Sequence, residues 1–244
     1  MTVRTYACYA VIVSNDSLRS LAEPALRAGC RVVALGMPPV AAHLDLGAGG
    51  IVDVTFTDAA RAPDLVARYH ALNRARFGGP LALPGWVLAD LYLMPAAITL
   101  LVRDGDIVAA YYAAPTLVPG EVVGVSLLSA REGEGLGTAA KALGLAVLRA
   151  RVARGVTQWG SRALAVHARF GDLRVEGPAP AVHGLAESTF CYRCVLGEQL
   201  DTPAREWDMD EARRRAGAGE RLVIAAGARP RAGFIALREE PRCT

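Results

Sequence analysis

The stretch Val125-Ser-Leu-Leu-Ser-Ala-Arg-Glu-Gly-Glu-Gly-Leu-Gly-Thr138 constrains this chain most, because an apolar, strand-like run passes through a glycine-rich turn directly into a long helical pattern. Such a junction is a phosphate cradle. The N–H groups of the turn and the unpaired first N–H groups of the helix converge on one spot, where the helix dipole also favours negative charge. The spacing Gly133, Gly135, Gly137 is not that of the dinucleotide fingerprint, which needs two residues before its last glycine, and the Lys-Ser/Thr pair of a P-loop is missing. A different phosphate ligand is implied.

The remaining composition is that of an ordinary globular chain. Of 244 residues, 52% are apolar and 21% charged, which is enough for a sizeable core and for one domain with extensions. Runs of Ala, Val and Leu are broken by Arg, Asp or Gly well before the roughly 20 residues that span a bilayer. With no basic-then-apolar start of the secretory kind, the expectation is a cytoplasmic protein with no membrane partner. The five cysteines, Cys8, Cys30, Cys191, Cys194 and Cys243, are odd in number and thinly spread, which suits reduced thiols. A net charge of +3 does not call for DNA or RNA. Lys141 is the only lysine, and the bias toward Arg reads as a compositional habit rather than as phosphate chemistry.

Periodicity and turn residues predict the order of elements. Residues 6–13 read as a buried strand, 16–28 as a helix and 31–35 as a strand, a small β-α-β preface. A Pro/Gly/Ala-rich passage, 37–50, leads to a strand at 51–56 and a helix from Asp58 to about Phe77. Runs 97–103 and 107–113 are joined by Asp104-Gly105-Asp106, a strong hairpin signal. A strand at 121–129 precedes the glycine turn. The helix after it is expected over 136–154, with Gly155 as its stop, followed by a strand at 156–159, a helix at 163–170 and strands at 173–175 and 189–196. Beyond these, Asp208, Asp210 and Glu211 open a short capped helix, and 221–238 suggests two more strands.

This order, with its glycine turn between the fourth strand from Ile51 and the long helix, resembles the GNAT N-acyltransferase superfamily over residues of about 50 to 197. Gly135-Leu136-Gly137 fills the last three positions of that family's Arg/Gln-x-x-Gly-x-Gly/Ala signature. Val166-His167-Ala168-Arg169-Phe170-Gly171 stands where the family often has Leu-Tyr-x-Arg-x-Gly. The resemblance implies an α/β (α+β) fold with a mixed, mostly antiparallel central sheet flanked by helices. It divides the chain into an N-terminal extension (1–48), a GNAT-like core (49–197) and a C-terminal extension (198–244).

The resemblance also implies a site. In this family the fourth and fifth strands splay and hold the pantetheine arm of an acyl thioester. Leu127, Leu128 and Ser129 on one edge, Ser161 near the other, and Arg131, Gly133, Gly135, Leu136, Gly137 and Thr138 at the phosphate end are the expected donor-binding residues. His167 occupies the position of a Tyr that protonates the leaving thiolate, work that an imidazole titrating near neutrality can do. His183, in the loop before the last core strand, is a candidate base or acceptor contact. Trp86, Asp90, Tyr92, Tyr111 and Tyr112 are candidates for the acceptor pocket, although adjacent Tyr111 and Tyr112 must face opposite sides of a strand. Cys191 and Cys194 have C-x-x-C spacing but on a strand point to opposite faces, so no metal site is expected.

Glu132 and Glu134 depart from the family pattern, which favours basic residues there. Two carboxylates next to coenzyme A would repel it by on the order of a kcal/mol each near a surface, with Arg131 offsetting part. The expected reaction is acyl transfer from a phosphopantetheine thioester, either on an acyl carrier protein or as acyl-CoA, to a small-molecule amine of specialised metabolism. The carrier-bound donor, with one phosphodiester, fits the glutamates better. A Fem-like transferase using aminoacyl-tRNA and a non-catalytic degenerate GNAT binding module are the alternative readings. Neither a permanently bound cofactor nor a metal is expected.

Overall fold

The computed structural model describes residues 16–36, 43–46, 51–78, 82–93, 97–179 and 188–239. The strand expected at 6–13, His183, Cys8 and Cys243 lie outside the described residues.

The chain runs through α1 (Asp16–Arg27), β1 (Arg31–Gly36), β2 (His43–Asp45), β3 (Ile51–Asp58), α2 (Pro63–Phe77), α3 (Asp90–Leu93), β4 (Ala97–Arg103), β5 (Asp106–Pro115) and β6 (Glu121–Ser129). It continues through α4 (Leu136–Val147), β7 (Val152–Gln158), α5 (Arg162–His167), β8 (Leu173–Pro178), β9 (Thr189–Val195), β10 (Arg205–Asp208), α6 (Met209–Gly217), β11 (Leu222–Ile224) and β12 (Phe234–Glu239). The described strands form one mixed sheet in the order β10-β12-β11-β8-β9-β7-β6-β5-β4-β1-β3-β2. Only the β1–β3 and β6–β7 pairs are parallel. The fold is α/β with a largely antiparallel sheet, as the resemblance implies.

One placement was not legible from the sequence. β1 lies inside the sheet, antiparallel to β4 and parallel to β3, so residues 31–36 stand next to the core hairpin and β3 lies outboard of them. The physical reason is in the side chains. Val32-Val33-Ala34-Leu35 is buried on both faces, as a central strand must be, whereas β3 alternates exposed and buried at its start.

Local chemistry accounts for the elements near the site. Asp104 and Gly105 both have positive φ, 52° and 84°, the backbone of a tight I′ turn that fixes the β4–β5 register. α1 presents Leu18, Leu21, Ala22 and Ala25 at i, i+3, i+4 and i+7 and packs them on α4. α4 is buried all round, and each fully buried leucine in it contributes roughly 2 kcal/mol relative to exposure.

α4 ends at Val147, seven residues short of the expected last residue, Arg154. Ala150 donates to the Leu145 carbonyl and Arg149 to Ala146, with Arg149 itself at φ 51°, a Schellman closure built on arginine instead of glycine. Gly155 is therefore not a helix stop but a member of β7. Its missing side chain admits Tyr192, whose hydroxyl would stand 2.8 Å from a Cβ there.

The C-terminal segment joins the same sheet through β11 on β8. Buried Asp172 secures it, accepting from Leu200 N and Ala226 N at 2.6 Å each and from Arg238 Nε at 3.3 Å.

Candidate functional site

β6 and β7 pair only over Glu121–Val123 and Val152–Arg154, although both strands run on. Beyond that point they part. A bulge contributes to this, because Tyr112 faces Ser126 and Ala113 faces Gly124, which leaves Val125 as an extra residue that bends β6. The parted strands enclose a cavity of about 280 Å³, with Gly124 to Leu127 on one wall and Val156 to Gln158 on the other. His167, Tyr111, Tyr192, Phe77 and Leu83 close it.

A second cavity, of about 670 Å³, lies at the glycine turn and shares Phe77, Leu127 and Ala163 with the first, so the two adjoin. Gly133 and Gly135 have φ of 81° and 73°, which side-chain-bearing residues rarely adopt. Gly135 caps α4 without any side-chain acceptor, and the first bond inside the helix is from Ala139 N to Gly135 O. The amides of Leu136, Gly137 and Thr138 therefore stay open at the cavity, an anion seat at the positive end of a helix dipole. Leu127, Leu128, Ser129, Arg131, Gly133, Gly135, Leu136, Gly137 and Thr138 all line it. Ser161 lines the strand cleft instead, and its hydroxyl caps α5 by accepting from Leu164 N at 3.1 Å.

The electrostatics of this end differ from the sequence expectation. Glu132 is ion-paired with Arg162, and Glu134 stands 3.6 Å from Arg103 and 3.8 Å from Arg131. Arg76, Arg131, Arg162, Arg169 and Arg229 surround the cavity, against the single carboxylate of Glu132. Guanidinium groups are fork-shaped donors that match phosphate oxygens, and of the five Arg162 is paired with Glu132, Arg131 stands near Glu134 and Arg76 donates to the Ala130 carbonyl. Arg229 arrives from the C-terminal segment, held there by the Asp172 cluster and by the bond from Gly227 N to Ala168 O.

His167 lies at the end of α5 and lines the strand cleft, 6% exposed. Its Nδ1 is 2.8 Å from Nζ of Lys141, which is fully buried inside α4 and also donates to Tyr192 Oη at 3.4 Å. The lysine nitrogen sits 4.7 Å from the Phe170 ring centre, with no carboxylate paired to it among the described residues. Burial lowers the Lys141 pKa to about 8. Burial first, and the lysine cation second, hold the His167 imidazole well below its ordinary value. With Lys141 as an ammonium, Nδ1 of a neutral His167 accepts from it and the ring proton falls to Nε2, for which no partner occurs among the described residues.

The acceptor-pocket candidates separate. Tyr111 faces the cleft, and its hydroxyl is buried without a hydrogen-bond partner among the described residues. Tyr112 faces the opposite side and donates to the Val87 carbonyl at 3.1 Å. Trp86 is 76% exposed, and Tyr92 lines a separate shallow cavity with His70 and Val66, so neither reaches the cleft. Asp90 begins α3. Cys194 is buried and Cys191 half-buried, on opposite faces of β9, and the described residues hold no cluster of metal-ligating side chains.

Several site residues escaped the sequence. Lys141 counts only as composition in the sequence, although a lone lysine in a helix apolar on every side is itself a signal. Arg76 and Phe77 end α2, Leu83 follows it, Tyr192 lies on β9, Arg162 opens α5 and Arg229 lies between β11 and β12, so only the fold assembles them.

No family model matches the chain, and no curated protein matches it. Among solved structures it is similar to an acetyltransferase from Thermus thermophilus, with 20% identity over 55% of this chain and 91% of that one and a TM-score of 0.41. It is similar also to the diaminobutyrate acetyltransferase of Paenibacillus lautus (17% identity, 53% and 87% covered, TM-score 0.40). A third is the ribosomal-protein-alanine N-acetyltransferase of Brucella melitensis (15%, 57% and 97%, TM-score 0.38). β6 and β7 part after Val123 and Arg154, with the glycine turn and α4 at their open end, the arrangement that the resemblance seen in the sequence implies.

Proposed function

We propose that the protein is an N-acyltransferase that moves an acyl group from acyl-CoA to the amine of a small molecule. The observation that carries this reading is the adjacency of the parted-strand cleft and the arginine-lined anion seat, which share Phe77, Leu127 and Ala163. A slim arm fits the first and a polyphosphate the second. The thioester would then lie beside His167, Tyr111 and Tyr192, where the cavity is narrow and mostly apolar.

The arginines favour coenzyme A over a carrier-bound arm. A carrier's single phosphodiester needs one anion seat, whereas five guanidinium groups suit a ligand with several phosphates. Pairing of Glu132 and Glu134 with arginines removes the repulsion that argued for the carrier. The open walls offer unpaired strand edges to the amide groups of the arm.

Thiol release from acetyl-CoA and longer acyl-CoA, measured against a panel of small amines with and without RNase, tests the reading. Amine-dependent release that survives RNase is the expected result. Transfer only from a loaded carrier protein would replace the donor, and RNase-sensitive transfer would replace the reading by the aminoacyl-tRNA one. Tight CoA binding with no transfer to any amine would make the protein a binding module.

A further inference from the structure

We infer that Lys141 is the proton store of the site and works through His167, a relay in which the imidazole stays neutral throughout. The inference rests on the acyl-transfer reading above. It starts from the 2.8 Å contact between Lys141 Nζ and His167 Nδ1, with His167 lining the cleft on its other side.

The geometry excludes the simpler role for His167. An imidazolium would need both nitrogens protonated, and Nδ1 already faces an ammonium donor. Two cations 2.8 Å apart in a dry site repel strongly. Tyr192 Oη, the Cys194 thiol and the Phe170 ring are the groups packed around the lysine, none of them a carboxylate that would stabilise a second positive charge. Tyr111, from β5, faces the same pocket with its hydroxyl protonated by burial. What the cluster can do is pass one proton.

The steps balance. As the C–S bond of the tetrahedral adduct breaks, the thiolate takes the proton from Nε2 while Nδ1 takes one from the Lys141 ammonium. The products of that step are a thiol, a neutral Nδ1–H imidazole and a neutral lysine amine. The nitrogen of the new amide must shed one proton, and Nε2 now presents a lone pair toward the cleft to receive it. As Nε2 takes that proton, Nδ1 hands its own to Lys141 in the same step, so the ring never becomes an imidazolium and the site is reset with no net proton gained or lost. Lys141 never touches substrate, so it is a positioning and proton-storing residue, and His167 is the catalytic one.

Two measurements on the full-length protein test this. Nitrogen-15 NMR of labelled histidine, with the His167 signals assigned by His167→Gln, reads the tautomer without any substrate. The Nε2–H form is expected at pH 7, converting near pH 8 as Lys141 loses its proton, and the conversion is absent in Lys141→Met. An Nδ1–H form at pH 7 overturns the inference. The second readout is the pH profile of kcat. Wild type should lose activity above about pH 8, and Lys141→Met should lower kcat roughly 100-fold and abolish that limb. In a His167→Tyr background, whose phenol carries its own proton, adding Lys141→Met should change kcat less than about threefold. Equal losses in both backgrounds, or a Lys141→Met enzyme with wild-type kcat and limb, overturn the relay. The wild-type tautomer and limb decide the matter even where Lys141→Met does not fold. A correct tautomer in a protein that transfers no acyl group supports the proton arrangement and sinks the transferase reading instead.

Discussion

Nζ of Lys141 lies 2.8 Å from Nδ1 of His167 in the interior of the protein, and the burial of this pair makes stability depend on pH in a definite direction. The lysine pKa is 10.5 when exposed and falls to about 8 here, so between those values the unfolded chain binds the extra proton. Stability from this group therefore rises as pH goes from 8 to 10.5. Cys194, raised to about 11, and the buried Tyr111 and Tyr192 act oppositely above pH 9, because the unfolded thiol and phenols ionise first. Comparing wild type with Lys141→Met isolates the lysine. The stability advantage of the variant should shrink by on the order of 3 kcal/mol from pH 7 to pH 10.5, read from urea midpoints.

His167 adds an acid limb. Burial and Lys141 keep its folded-state pKa well below 6.5, so the unfolded chain takes up a proton that the folded one refuses. Stability should fall as pH drops below about 6.5, and His167→Gln should flatten that fall in urea titrations at pH 5 to 7.

Asp172 holds the C-terminal strands to the site corner. Replacing it with Ala leaves the Arg238 guanidinium and the amides of Leu200 and Ala226 without their acceptor. The expected loss is about 3–5 kcal/mol by urea unfolding, with Asp172→Asn losing less because its side-chain oxygen still accepts.

Two glycines should respond differently. Gly155→Ala sets a methyl 2.8 Å from Tyr192 Oη and 3.1 Å from two ring carbons of a side chain that cannot move. About 1–3 kcal/mol should be lost, partly restored by Tyr192→Phe, as read by thermal melting. Gly133→Ala meets nothing within 4 Å, so only its φ of 81° is strained, at about 1 kcal/mol. Its larger effect should be on donor KM.

Arg169 and Arg229 flank the anion seat and are ion-paired to no described residue. Each Arg→Ala change should weaken CoA binding about 5–10-fold by calorimetry, less at high salt, and leave the unfolding midpoint unchanged.

Much of this was legible in the sequence. The glycine turn, the Asp-Gly hairpin, the helix after Asp208 and the last core strand follow from local residue chemistry, and all lie where the pattern set them. Local reasoning failed where a distant partner decides. Gly155 reads as a helix stop until Tyr192 is seen to fill its space. Glu132 and Glu134 read as a repulsive pair until Arg162 and Arg103 arrive from other elements. The Lys141–His167 contact joins residues 26 apart and has no sequence period to announce it.

Amide hydrogen exchange with and without saturating CoA tests most directly that the donor occupies the parted strands and the glycine turn. Binding should slow exchange at residues 124–129, 133–138 and 156–158, the walls of the two adjoining cavities, and leave β10 to β12 unchanged. Protection confined to other elements, or none at a CoA concentration shown by calorimetry to saturate, would contradict it.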